Sequence, residues 1–330
     1  MDKMKMMKKF LWLCLCLIAG TAKAQQDAQY SQYMFDGLYI NPAYAGYKQD
    51  VYLQSFYRSQ WTGLEGAPRS FSVAVDGAVN DDKVGLGLLL TQDKIGAQSS
   101  LAAYANYDYR IQIGDNPESR LSFGIGGGFI QAGLNGADLH AGQAGDNYVP
   151  VAYQSKLLPD ARAGVLYTND AFFAGFSVDN LLARHAKQDA TTMVAIPKPH
   201  YYLTAGMMVD VNSDVKFKPS FLLKDDGAGP TSLDVNAFVL LGERIWIGGT
   251  YRTAVPLYAK PYLQTDLQKS NSLTGMAEIF ATDHIRVGYA FDYSLTRIGT
   301  YSYGTHELSI GITFGSGSGV NSSHGLKCYF

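Results

Sequence analysis

The sequence predicts an all-β protein, a transmembrane antiparallel β-barrel of about 14 strands with an N-terminal plug-like segment. Apolar residues alternate with small or polar ones in segments of about 9–11 residues, the length with which a tilted strand crosses a bilayer. Only 17% of residues are charged, and Tyr (23), Phe (16) and Gly (35) are abundant. The mean hydropathy is nevertheless −0.08. Near-neutral hydropathy results when each strand presents one face to lipid and the other to water.

The first 24 residues predict a cleaved signal peptide. Four lysines (Lys3, Lys5, Lys8 and Lys9) precede the apolar run 10–20, and Ala22-Lys23-Ala24 places small residues where a signal peptidase reads them. A helix that spans a bilayer needs about 20 apolar residues, and this run has only half that length. We therefore expect residues 1–24 to be removed.

Cleavage changes both charge and cysteine content. The signal peptide holds five of 27 basic and one of 29 acidic residues, so the mature chain has 22 minus 28, or −6. A net negative chain disfavours nucleic acid as a partner. Cys14 and Cys16 lie in the signal peptide, which leaves Cys328 alone and predicts no internal disulfide.

Residues 25–50 precede the first strand and read as ordered. The stretches 29–35 and 41–46 contain too many aromatic residues for a disordered leader. Our hypothesis is a short plug inside or against the barrel mouth, with Pro42 and Gly46 fixing turns. An ordered leader on the periplasmic surface is the alternative.

The barrel itself is predicted over residues 51–314. In 84–90, for example, Leu86, Leu88 and Leu90 share one face, with glycine at two positions of the other. Short turns such as 80–82 alternate with long connections at 135–156, 183–199 and 258–271, as in outer-membrane barrels. The predicted strands are 51–61, 69–79, 83–93, 99–113, 120–134, 157–169, 171–182, 200–210, 215–223, 232–241, 245–257, 272–280, 285–293 and 306–314.

The last strand and the tail differ in composition. Leu308, Ile310, Ile312 and Phe314 share a face that ends in an aromatic residue. Residues 315–330 begin with alternating Gly and Ser, which predicts a flexible C-terminal tail.

Charged residues within the strands fall opposite the apolar faces. An Arg or Lys facing lipid near the midplane would cost about 2–4 kcal/mol, so these residues are expected to line the lumen. We interpret them as a network of hydrogen-bonded ion pairs that stiffens the barrel, because buried polar groups need partners. A polar conduit with selectivity is the functional alternative. The predicted lumen charges are Arg58, Asp76, Asp108, Arg110, Arg162, Asp179, Arg252, Glu278, Arg286 and Asp292.

Enzymatic signatures are weak throughout. The six histidines are scattered without metal-ligand spacing. Gly124-Ile125-Gly126-Gly127-Gly128 lies in an alternating strand with no helix after it, so it lacks the context of a phosphate loop. Its glycines more simply relieve crowding, bend the strand or admit a plug. We predict no catalytic residue, no cofactor and no metal, and hence not an enzyme.

Both ends of the mature chain carry a family resemblance. The segments 29–35 (QYSQYMF), 40–46 (INPAYAG) and 58–61 (RSQW), with 286–294 (RVGYAFDYS) and 304–310 (GTHELSI), resemble the PorP/SprF family of type IX secretion system outer-membrane proteins. The tail after Phe314 departs from members that stop at the last strand. The resemblance singles out motif positions for plug or partner contact: Tyr30, Gln32, Tyr33, Phe35, Asn41, Pro42, Tyr44, Trp61 and His306.

The resemblance implies a non-enzymatic outer-membrane barrel of the secretion and gliding machinery. Its implied partners are a secreted, adhesin-like protein with a type IX C-terminal domain, periplasmic or lipoprotein components, and outer-membrane lipid. The implied role is export or surface anchoring of the secreted partner. Two alternatives stay open: a diffusion channel or small-molecule transporter, favoured by the polar lumen, and a soluble secreted β-rich adhesin, which poorly explains the alternation at bilayer-crossing length.

Overall fold

A computed structural model describes residues 29–116, 118–139, 150–186, 194–263 and 269–315. The predicted signal peptide and the tail beyond Gly315, with Cys328, lie outside these residues. The strands are β1 Val51–Ser59, β2 Arg69–Val79, β3 Val84–Ile95, β4 Gln98–Gln112, β5 Arg120–Asn135, β6 Tyr153–Thr168, β7 Phe172–Asp179, β8 His200–Met207, β9 Val209–Asn212, β10 Val215–Asp225, β11 Thr231–Leu241, β12 Ile245–Val255, β13 Ser270–Phe280, β14 Ile285–Ser294 and β15 Thr305–Phe314.

These strands form one closed antiparallel sheet. Apart from β8 and β9, each pairs with its neighbours in the chain, and β15 pairs with β1 from Phe314↔Val51 to His306↔Ser59. β8 and β9 both pair with β10, so together they make one interrupted strand. The result is a 14-strand barrel, as the alternation predicts. Closure leaves no open edge where the sheet crosses lipid.

The predicted strand 200–210 is corrected to two pieces separated at Met208. Pro219 of β10 lies at this point, between Ser220, which pairs with Gly206, and Phe217, which pairs with Val209, and proline has no N–H to donate to a ladder. On the opposite side of the strand, Met208 donates its N–H to the carbonyl of Ala171, just before β7, at 2.7 Å. The missing donor therefore interrupts the pairing.

The two rims of the barrel differ in their connections. One rim, here called the short-turn rim, carries connections 80–83, 113–119, 169–171, 213–214, 242–244 and 281–284, together with both ends of the barrel chain. The opposite rim, the long-loop rim, carries 60–68, 136–152, 180–199, 226–230, 256–269 and 295–304, with one tight turn at 96–97.

The packed interior lies in the barrel lumen. Residues 29–50 precede β1 and fill it; we call them the lumen segment. Its Phe35, Leu38 and Tyr44 belong to one apolar cluster with inward side chains of the wall such as Phe238 and Trp246. The outward side chains of the strands form the apolar belt of the barrel, including Leu86, Leu88 and Ile125. Among the described residues, no helix has the length and apolarity needed to cross a membrane.

A charge in the outer belt tests this assignment. Leu88 lies in β3 with 59% of its side chain exposed to the surroundings of the barrel. Leu88→Arg should lower the free energy of unfolding by about 2–4 kcal/mol, because the guanidinium would face hydrocarbon. Urea-dependent folding into lipid vesicles, followed by the heat-dependent gel shift of folded barrels, measures this. Leu88→Ile is the matched control. Equal stability of the two variants would show that Leu88 does not face lipid.

Candidate functional site in the barrel lumen

The lumen segment crosses the barrel from one rim to the other. It contains a 3-10 turn at Tyr33–Phe35, one α-helical turn at Gly37–Ile40 and a second 3-10 turn at Pro42–Tyr44. Side chains cap the last two turns: Asp36 accepts from the Leu38 N–H at 3.2 Å, and Asn41 from the Ala43 N–H at 2.9 Å. These local bonds satisfy a backbone that has no strand partner.

A charged cage holds the segment near the long-loop rim. Glu307 accepts the N–H groups of Ser31 and Gln32, both at 2.8 Å. Arg58 reaches Glu307 at 2.9 Å and Asp292 at 2.5 Å. The Ser31 hydroxyl donates to Asp292 at 2.8 Å. All five residues are buried, and the Arg58 guanidinium is shared by the two carboxylates, which also accept hydrogen bonds from the segment.

Arg162 fixes the middle of the segment. Its Nη1 and Nη2 donate to the carbonyl oxygens of Leu38 (3.1 Å) and Tyr39 (2.9 Å), at the end of the α-helical turn. Its Nε donates to Asp179 at 3.0 Å. Cations are favoured at the C-terminal end of a helix, where carbonyl oxygens lack partners. One guanidinium therefore caps the turn and attaches it to β6.

Glycines on the inner face make room for the segment. A Cβ at Gly124 would lie 2.0 Å from the Ala43 nitrogen, and a Cβ at Gly164 would lie 2.1 Å from Asn41 Oδ1. Asn41 uses this approach to donate its Nδ2 to the Val165 carbonyl at 3.0 Å. Gly124 of β5 thus admits the backbone of the segment, and Gly164 of β6 admits the Asn41 side chain, where any other residue would collide.

Further contacts fix the segment at the short-turn rim. The Gly46 N–H donates to Asp76 at 2.7 Å, and an Arg110 guanidinium N–H donates to the Ala45 carbonyl. Arg110 also pairs with Asp108 at 2.9 Å. Lys48 lies over the Tyr52 ring, 3.4 Å from its centroid. The segment is consequently held along its whole path.

A second ion-pair network lines the wall below the long-loop rim. Arg252 makes two parallel hydrogen bonds to Asp234, at 2.7 and 2.9 Å, and Lys224 bonds the same carboxylate at 3.1 Å. Lys224 also reaches Gln29 at 3.1 Å. A small cavity beside Lys224 lies between the segment and β8, β10 and β11.

Residues 256–263, the described part of the connection after β12, are fastened over the β10–β11 hairpin. Lys260 bonds Asp225 and the Gly229 carbonyl, both at 2.7 Å, and Tyr258 donates to Asp225 at 2.9 Å. Partial burial acts to lower the pKa of the Lys260 ammonium, but the hydrogen bond and charge attraction of Asp225, together with Tyr258, outweigh burial and raise that pKa. This loop is a fixed part of the long-loop rim.

The structure places nearly all predicted lumen charges inside the barrel. Nine are buried, and Asp179 is half-buried beside Arg162. Five of them bond the lumen segment directly: Arg58, Asp76, Arg110, Arg162 and Asp292. The others form wall pairs, as Glu278 does with Arg286 at 3.3 Å and Arg252 with Asp234. Asp108 supports Arg110.

The predicted motif positions divide into two groups. Seven lie buried in the lumen segment: Tyr30, Gln32, Tyr33, Phe35, Asn41, Pro42 and Tyr44. Trp61 lies apart, half-buried in the 60–68 connection with φ 49°. His306 shares the outward face of β15 with Leu308 and bonds the Tyr289 hydroxyl at 2.7 Å. His306 therefore belongs to the outer surface and does not contact the segment.

Several residues of the site are missing from the sequence prediction. Glu307 and Asp234 are fully buried charges on inner faces, and strand alternation was sufficient to find both. Asp36 and Lys48 lie in the segment itself, where no periodicity marks them. The described residues hold no group of three or more His, Cys, Asp or Glu side chains suited to a metal.

Comparison with known families gives one match over most of the chain. The family model described as "Type IX secretion system membrane protein PorP/SprF" matches residues 22–312. No curated protein matches the chain.

Solved structures similar to this chain are outer-membrane barrels. A TodX deletion mutant described as a monoaromatic hydrocarbon channel is 12% identical over 84% of this chain and 94% of its own, with a TM-score of 0.50. A Pseudomonas aeruginosa FadL homologue is 11% identical over 86% and 94%, with a TM-score of 0.47. Acinetobacter baumannii Omp33 is 7% identical over 81% and 98%, with a TM-score of 0.46. The likeness to TodX shows the barrel fold alone.

The charged cage can be tested at one carboxylate. Glu307→Gln replaces an acceptor of two segment N–H groups by an amide that carries its own donors. Loss of a charged hydrogen bond costs about 1.5–3 kcal/mol. We expect the amides of Ser31 and Gln32 to exchange hydrogen at least about tenfold faster, since about 1.4 kcal/mol corresponds to a factor of ten. His306→Gln, the outward neighbour, is the control and should leave both amides unchanged. Equal exchange in both variants would contradict the cage.

Proposed function

Because this chain belongs to the PorP/SprF family of type IX secretion system membrane proteins, we propose that it assists the export or surface anchoring of a secreted partner protein, such as a large adhesin. The chain is an outer-membrane component of that machinery. Outer-membrane barrels keep short turns in the periplasm and long loops outside, so the long-loop rim faces the cell exterior.

The occupied lumen is the observation that carries this proposal. Contacts of the lumen segment reach the inner faces of β1, β5, β6, β11 and β15, and Phe35 and Leu38 are at most 1% exposed. An interior filled in this way favours a barrel that binds its partners at its rims and does not pass them through its lumen. We propose that the lumen segment acts as a plug and that the machinery is contacted from outside the lumen.

The long-loop rim offers an ordered aromatic surface to a partner. The connections 60–68 and 295–304 are joined by backbone bonds, Thr62 N–H to the Gly304 carbonyl at 2.9 Å and Tyr303 N–H to the Thr62 carbonyl at 2.8 Å. Tyr301 and Tyr303 are 74% and 81% exposed on this platform. Rigid exposed tyrosines are typical of protein interfaces, because they bury much area at little entropic cost. The exposed tyrosines therefore favour binding of a secreted partner protein at the cell exterior.

The opposite rim supports contact with periplasmic or lipoprotein components of the machinery. It carries the short connections, and the lumen segment enters β1 there through Asp50 and Val51. Membership in the family implies interaction with the secretion machinery, and the partners on each side are part of the proposal.

A diffusion channel is the second candidate, favoured by the charged lumen and opposed by the lumen segment. Deleting residues 26–40 should raise the conductance of purified protein in planar bilayers and the uptake of small solutes by cells, because part of the proposed plug is removed. Deleting residues 316–330, a tail segment of equal length, is the control. A large steady pore in the intact protein favours the channel, and unchanged permeability after the first deletion argues against the plug.

Loss of the whole protein tests the secretion role. Deleting its gene should abolish surface display of a particular secreted protein, while general solute uptake persists. Mass spectrometry of proteins labelled on intact cells measures display, and re-expression of the intact chain should restore it. An unchanged set of surface proteins would rule out the anchoring and export role.

A further inference from the structure

One strand of the barrel continues past the end of its neighbour. β6 pairs with β5 along its full length, Asn135↔Tyr153 to Arg120↔Thr168, but with β7 only from Ala163 to Thr168. Beyond that, the Leu181 N–H donates to the Ala161 carbonyl at 3.0 Å. Among the described residues, no segment pairs with this side of β6 from Tyr153 to Pro159.

The path of the chain after β7 explains the open edge. Asn180 adopts φ 60°, which turns the chain away from the sheet. Asp160 then accepts the N–H groups of Leu182 and Ala183 at 3.0 and 2.9 Å, and a 3-10 turn follows at Ala183–His185. These bonds direct the chain that follows β7 away from β6, so the edge of β6 before Asp160 stays unpaired.

The free backbone groups follow from strand periodicity. Because the Ala161 carbonyl points to the β7 side, every second residue before it does so too. These residues are Pro159, Leu157, Ser155 and Tyr153. Proline has no N–H, so the ladder available for pairing consists of Leu157, Ser155 and Tyr153, each with one donor and one acceptor.

This edge stands outside the membrane. β6 has 16 residues, whereas about 9–11 are enough to cross the bilayer, and Tyr153 lies at the long-loop end. Unpaired backbone is tolerated there because water is available. Leu157 and Tyr153 are also 64% and 54% exposed, which adds apolar surface to the ladder.

The surroundings of the edge are basic. Arg184 and His185 are exposed on the adjoining turn, and Lys198 lies nearby, its carbonyl bonded by Asn180 at 2.9 Å. The carboxylates on the adjoining segments are engaged: Asp160 by backbone N–H groups, Asp179 by Arg162, and Asp138 by Lys94 at 3.9 Å. A ligand with negative charge therefore complements this part of the rim.

We propose that the β6 edge, residues 153–158, binds an extended acidic segment of the secreted partner by β-strand addition. This inference rests on the proposed function and names the part of the rim that performs it. Alternating donors and acceptors along an edge fit another extended backbone, and exposed sheet edges are used in this way for peptide recognition. Lipid and small solutes do not match such a ladder.

The test removes one backbone donor. In Leu157→Pro the lost N–H is one that β5 does not use, so barrel pairing is retained while strand addition is blocked. Leu157→Asn is the matched control, because it changes the side chain and keeps the N–H. Strains carrying either variant, the intact gene or a gene deletion are compared by surface labelling and mass spectrometry, with the heat-dependent gel shift reporting folding.

The four strains separate the inference from the proposed function. Consider a surface protein that disappears in the deletion strain. If its surface amount falls at least about tenfold with Leu157→Pro and is unchanged with Leu157→Asn, the edge is its binding site. If the deletion strain loses it and Leu157→Pro retains it, the edge is overturned and the secretion role stands. If the deletion strain loses nothing, the secretion role itself is overturned and the inference with it.

Two measurements on the intact sequence keep the test decisive if the proline variant misfolds. Hydrogen exchange of the purified full-length protein should be fast at the Ser155 and Leu157 amides; slow exchange would show the edge already covered by this chain or a second copy. A photo-crosslinking residue at position 155 in cells should capture an extended acidic segment of the secreted protein. Crosslinks confined to this chain, to a second copy or to a basic segment would overturn the proposal.

Discussion

Every backbone N–H and C=O group that enters hydrocarbon must find its partner inside the protein, because lipid offers none. The closed ladder from β1 to β15 meets this requirement for the wall. The same requirement confines charge to the lumen, where Arg58, Arg162 and Asp292 are buried. A barrel of this width then has a polar interior that must be filled with water or with polar protein. Here residues 29–50 fill it, and the inward charges and glycines of the wall are arranged around this segment.

The lumen segment matches the wall by chemistry more than by shape. Its backbone ends are satisfied by charges, with Glu307 at the first N–H groups and Arg162 at the carbonyl end of the helical turn. Where the wall has no polar group to bond the segment, it has glycine, whose missing side chain leaves space for the segment, as at Gly124 beneath Ala43. Several of these charges also pair within the wall, as Arg58 does with Asp292 and Glu307 and as Arg162 does with Asp179, so removing one partner leaves another uncompensated. This interdependence explains why a fixed plug and a freely conducting lumen are competing solutions for the same interior.

Alternation was enough to predict the barrel and its 14 strands, because side chains of a strand change face at every residue. Nine of the ten charges that it assigned to the lumen are buried. It failed where lipid no longer constrains the outer face. β6 begins at Tyr153, four residues before its predicted start at 157, and the break at Met208 depends on a proline in the next strand. Motif likeness grouped His306 with positions for plug or partner contact, and its place beside outward Leu308 and Ile310 leaves partner contact as the prediction for this residue. The partners of Asp36 and Lys48 depend on the path of the segment, which one sequence does not encode locally.

The position of the open edge follows from the same constraint as the closed wall. An unpaired ladder within hydrocarbon would be costly for every group, so a barrel has an edge to offer only where a strand outgrows the bilayer. β6 does so at the rim with the long loops, and Pro159 limits the free ladder to residues beyond it. Proline at that position costs the fold nothing, since no neighbour uses its N–H. The proposed role requires a partner to be held outside the membrane, and the unpaired ladder of Tyr153, Ser155 and Leu157 lies there.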